Sequence, residues 1–150
     1  MLRIIAGIIV GFIVMVILVM ATFGITIAAL GIEKTVQPGS YWTTNTFNII
    51  VLIGGFIAAI IGGLVCGMIA RNSMAAFALV AILLATGIGS VIADMNRPDP
   101  PARTAPATLE DISRYGKEPM WFAISKIVFG AVGVLIGSSM VKKRRPAARA

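Results

Sequence analysis

The chain has 150 residues, of which 58% are hydrophobic and 13% charged, with a formal charge of +7. Its mean hydropathy is +0.96. Soluble domains carry about 25% charged residues, so a water-soluble fold is excluded and hydrocarbon is the solvent that fits. Nucleic-acid binding is excluded as well, because the dense basic run follows an apolar stretch and has no aromatic residues interleaved with it. No histidine and a single cysteine rule out the common zinc, haem and Cys–His arrangements. No cofactor motif is present.

The first apolar run covers residues 4–30 and would reach about 40 Å at 1.5 Å per residue, so it tilts or projects beyond the lipid. It is too long for the core of a cleaved signal peptide and is read as a retained helix. The second run is 49–70, the third 74–93 and the fourth 120–141. Each meets the need for about 20 apolar residues to cross the bilayer. Backbone polar groups in lipid must be satisfied within the segment, so each run is expected to be a helix. The connection "RNS" at 71–73 is short enough to force the second and third spans into an antiparallel hairpin, with Asn72 or Ser73 capping the third.

The loop 31–48 contains Pro38-Gly39, a turn signal. Tyr41 and Trp42 precede the second span and Trp121 opens the fourth, as an interfacial aromatic belt would. The loop 94–119 begins with the extended, proline-rich "NRPDPPARTAP". Then comes "TLEDISRYG", where Thr108 and Asp111 stand at capping-box spacing and Gly116 can end a short helix near 108–115. This loop is the first place to look for a specific interaction.

Lysine and arginine set the orientation. Arg3, Arg71, Lys142, Lys143, Arg144, Arg145 and Arg149 fall on one side with no acid, while the other two loops hold all six acids. The asymmetry predicts an inner-membrane protein with both termini cytoplasmic. Lys142, Lys143, Arg144 and Arg145, in the tail 142–150, are expected to anchor on anionic lipid.

Small residues recur every four positions in the spans. The second span has Gly55, Ala59, Gly63 and Gly67, beside a parallel row of Gly54, Ala58 and Gly62. The first has Gly7 and Gly11, the third Ala81, Ala85 and Gly89, and the fourth Gly133 and Gly137. Residues four apart share a helix face, and small faces let backbones approach in lipid. A tight internal bundle is the expectation, with the second span central. Homo-oligomer contact, including a glycine zipper around a pore, is the rival.

Thr22, Thr26, Thr86, Ser90, Ser125, Ser138 and Ser139 can bond the preceding turn. Lys126 is the one charge well inside a span, about 7–8 Å past Trp121. Asp94 closes the third span on the same side, so the two are expected to form an ion pair or a headgroup site. No acid lies deep in a span, and Ser125 beside Lys126 diverges by about 100° around the helix, so enzymatic activity is not expected. Cys66 is read as a small hydrophobe.

The layout resembles small four-span bacterial inner-membrane proteins of uncharacterised function. It does so through "GGLVCGMIAR" running into a tight basic turn, the tryptophan opening the last span, and the "KKRR" close. The resemblance covers most of the chain as a layout and brings no activity with it. The sequence thus predicts one all-α, four-helix membrane domain. Its expected partners are membrane lipids and either another membrane subunit or a second copy. An accessory or assembly subunit of a membrane complex is the leading function. A homo-oligomeric channel or small-solute transporter and a lipid-headgroup binder are the alternatives.

Overall fold

The computed structural model describes residues 1–141. The basic anchor at Lys142, Lys143, Arg144 and Arg145 lies outside them. Six helices follow in order: α1 (Leu2–Leu30), α2 (Ile32–Thr35), α3 (Asn45–Ala70), α4 (Ser73–Met95), α5 (Leu109–Tyr115) and α6 (Met120–Ser139). Four of them, α1, α3, α4 and α6, are long and apolar enough to cross a membrane. Their outer surfaces carry large exposed apolar side chains, among them Ile9, Ile13, Ile17, Ile53, Ile57 and Val128, an area that water would not tolerate.

The four long helices pack as a bundle with α3 in the middle, touching α1 on one side and α6 on the other. Contact with α1 runs through Gly7, Gly11 and Gly62. A Cβ on Gly11 would stand 2.8 Å from the Gly62 carbonyl oxygen, and one on Gly62 2.9 Å from that of Gly11. Contact with α6 runs through Gly63, Gly67, Gly133 and Gly137. A Cβ on Gly63 would meet the Val134 backbone, and one on Gly133 would stand 2.8 Å from the Ala59 Cβ. The buried cluster around these contacts comprises Met15, Ala58, Ala59, Cys66, Ala70, Ala75, Leu79 and Val134.

The third span departs from the expected face. Ala81, Ala85 and Gly89 are exposed, and nothing lies within 4 Å of a Cβ on Gly89. Instead α4 buries Ala75, Ala76 and Leu79 near its start, then leans on α6 through Gly87, whose Cβ position is 2.7 Å from Ile127. A mostly apolar helix has several small faces, and α4 packs through the one that carries Leu79 and Gly87. Gly55 also faces open space, while its neighbour Phe56 meets Phe129 of α6 edge-on at 5.5 Å.

Connections follow local chemistry. Arg71 ends α3 in the left-handed conformation, φ 49°, and the Asn72 side chain accepts the Met74 N–H at 2.9 Å, satisfying an orphan donor of α4. At the other end, Pro38-Gly39 makes a tight turn. Gly39 has φ 71°, and Ser40 N donates to Gln37 O at 3.2 Å, as a turn with glycine at its third position requires. The turn brings Val36 against Thr43 in an isolated bridge. Thr108 and Asp111 form the reciprocal capping box that starts α5.

Candidate functional site

The two loops on the side away from the chain termini are stitched to each other. Thr43 N donates to Lys117 O at 3.0 Å, and Lys117 N to Tyr41 O at 3.1 Å. Lys117 Nζ binds Asp99 at 2.8 Å and the Arg97 carbonyl at 3.2 Å, while standing 5.4 Å from the Trp42 ring centre. Tyr41 stacks on Tyr115 at 5.5 Å. Tyr41 and Trp42 are therefore half-buried loop anchors; Trp121 is the more exposed, at 43%.

Glu33 is the second clasp. Its carboxylate accepts from Arg103 Nη1 at 2.7 Å and from the Ala107 backbone N–H at 2.7 Å. The Arg103 hydrogen bond first, then that of Ala107, hold the Glu33 carboxyl below the usual carboxylate range. A depressed folded pKa gives a contribution present above the unfolded pKa and lost as pH falls through the folded one. The clasp should therefore stay closed at neutral pH and open only in acid, below the range in which an ordinary glutamate titrates. Hydrogen exchange of the Ala107 amide checks this: protection should fall only in acid for the native chain, and already at neutral pH for Glu33→Ala, which has no side-chain acceptor. Equal protection in both chains at neutral pH would dispose of the clasp.

Beneath this cap, a cleft of about 550 Å³ lies between α4 and α6. Gly87 and Gly130 remove bulk from its walls, and Leu83 closes its deep end. Thr86 turns its hydroxyl back to Ile82 O at 2.8 Å, as helix-borne threonine does. At the loop end the lining becomes charged, with Asp94, Arg97, Glu118 and Lys126.

The expected Asp94–Lys126 pair is not what forms. Lys126 Nζ is bonded to Glu118, and Asp94 faces Arg97 at 3.9 Å. Both residues line the cleft, so the structure brings them together without joining them. The reason is reach. Glu118 stands just before Pro119, at the mouth of α6, where a lysine stem two turns below snorkels naturally. Arg97 is three residues from Asp94, in its own helical turn. Glu118 and Arg97 are thus the site residues that sequence reasoning missed. The usable signal was an acid directly preceding the proline that opens a span containing a lysine. The Lys126 ammonium also sits 5.0 Å from the Phe122 ring centre, and Phe122 is fully buried, which fixes the charge near the mouth.

No family model, no curated protein and no solved structure matches this chain. The functional reading rests on the residues themselves.

Proposed function

We propose that the protein is a non-enzymatic integral membrane protein that holds a lipid in the cleft between α4 and α6. The observation that carries this reading is the cleft's grading from charged at Asp94, Glu118 and Lys126 to apolar at Leu83. Leu83 to Asp94 spans about 16 Å of helix, roughly half of the 30 Å hydrocarbon core. That is the depth of one leaflet, with the charges at headgroup height. The lysine and arginine asymmetry supports an inner-membrane placement with both termini cytoplasmic, which puts the cleft in the outer leaflet. The close approach of α1, α3 and α6 at their glycines supports small-xxx-small association as the scaffold that holds the cleft in shape.

Native mass spectrometry of the protein extracted mildly from its own membrane tests the reading. The expected spectrum shows protein carrying one phospholipid mass. Lys126→Ala should lower the lipid-bound fraction about tenfold, the loss of one charge-assisted contact. Ser90→Phe, which fills the cleft from an exposed position, should lower it without touching a charge. A lipid-free native protein, or full retention in both variants, would sink the reading.

The exposed row Ala81, Ala85 and Gly89 favours a second reading, an accessory subunit whose partner helix covers α4. The same spectra decide it: a heterologous subunit at fixed stoichiometry supports it, and a lone chain or a closed homo-oligomer counts against it.

A further inference from the structure

The charges at the cleft mouth are balanced and stand in two opposite-sign pairs, Lys126 with Glu118 and Arg97 with Asp94. Two are acids, Asp94 and Glu118, and two are bases, Arg97 and Lys126. Lys117 lies on the adjoining depression, but its ammonium is engaged by Asp99 and the Arg97 carbonyl and adds no free charge. We propose that the cleft selects a zwitterionic headgroup bearing a primary ammonium, the phosphoethanolamine of a phosphatidylethanolamine. The inference rests on the reading of the cleft as a lipid site.

Three physical points support the choice. First, the bonding capacity is there. Arg97 and Asp94 are 3.9 Å apart, beyond hydrogen-bond distance, so the guanidinium keeps donors and the carboxylate keeps acceptor sites for a guest. Asp94, Glu118 and Lys126 are each partly exposed in the cleft, at 28%, 29% and 39% of the side chain, and a guest reaches the last two by exchanging their mutual ion pair for its own phosphate and ammonium. Second, the sign pattern matches. A phosphate has two cations to draw on, Arg97 and Lys126, and an ammonium has two carboxylates, Asp94 and Glu118. An anionic headgroup satisfies the bases and leaves both carboxylates facing its negative charge, where like charges repel. Third, the donor count discriminates between zwitterions. A primary ammonium has three N–H donors for the two carboxylates, whereas a trimethylammonium has the charge and no donor, so it forgoes the charge-assisted bonds that are the strong ones.

The test uses the full chain, purified in detergent and stripped of lipid. It is offered an equimolar mixture of phosphatidylethanolamine, phosphatidylcholine and phosphatidylglycerol with identical acyl chains, and bound lipid is read by native mass spectrometry. Phosphatidylethanolamine should exceed each of the others by about tenfold, the value of one charge-assisted hydrogen bond. Asp94→Asn with Glu118→Gln should bring the ethanolamine-to-choline ratio to about one and raise phosphatidylglycerol. Where the double variant does not fold, as circular dichroism would show, Asp94→Asn alone should move both ratios in the same directions. Equal retention of the three lipids overturns the headgroup inference and leaves the lipid site standing. A preference for phosphatidylglycerol or phosphatidylcholine also overturns it. Retention of none removes the lipid site itself.

Discussion

Gly137→Leu is expected to break the packing of α6 against α3, at the upper end of the roughly 1–3 kcal/mol that overpacking costs, or beyond it. The reason is what the new side chain would meet. A Cβ at Gly137 collides with the Ile60 carbonyl oxygen and stands 2.8 Å from both the Ile60 carbonyl carbon and the Leu64 nitrogen. These are backbone atoms of a helix and cannot rotate aside as a side chain would. Relief requires α6 to move away, and the Val134 backbone then leaves Gly63. In lipid no hydrophobic effect pulls the helices back together, so the lost dispersion is not replaced. The thermal midpoint in detergent should fall by several degrees for Gly137→Leu. Gly55→Leu, at a position with nothing within 4 Å, should leave it nearly unchanged. Equal midpoints for the two variants would mean that α3 and α6 do not touch as described.

What the sequence made legible follows from what each feature depends on. The four spans were readable because a bilayer imposes a one-dimensional requirement, a run of apolar residues of sufficient length. Their ends shifted where polar residues could still extend a helix into the interface: α3 begins at Asn45 and α4 runs to Met95. The Thr108–Asp111 capping box and the Pro38-Gly39 turn were readable because their partners lie within a few residues. The face each helix gives to its neighbours was less legible. Lipid is as apolar as the protein interior, so periodicity does not mark the inward side, and the row Ala81, Ala85 and Gly89 pointed outward despite its spacing. The ion pairs failed for a different reason. Lys126 had acids at comparable heights on two elements, and only the three-dimensional path shows that Glu118 is in reach. The Glu33–Arg103 clasp joins residues 70 apart in sequence and left no local trace at all.

Asn48→Leu should have the opposite sign to Gly137→Leu. Asn48 is fully buried, and among the described residues neither its side-chain oxygen nor its side-chain nitrogen has a hydrogen-bond partner. Its backbone N–H is satisfied by Thr44 O at 3.0 Å, so the deficit belongs to the side chain alone. It sits in the first turn of α3, beside Phe47, whose ring meets Phe23 edge-on at 5.0 Å. An unpaired buried amide forfeits its water bonds and regains nothing, a penalty of about 1–3 kcal/mol. Leucine has nearly the same shape and no such debt, so the thermal midpoint should rise by several degrees. Asn48→Asp, which would bury a charge in the same place, should lower it sharply. A fall on Asn48→Leu would show instead that the amide is bonded to an internal water. Leucine thus probes two different deficits in one bundle: at Gly137 the site lacks room, and at Asn48 it has room for the carbon and lacks a partner for the polar atoms.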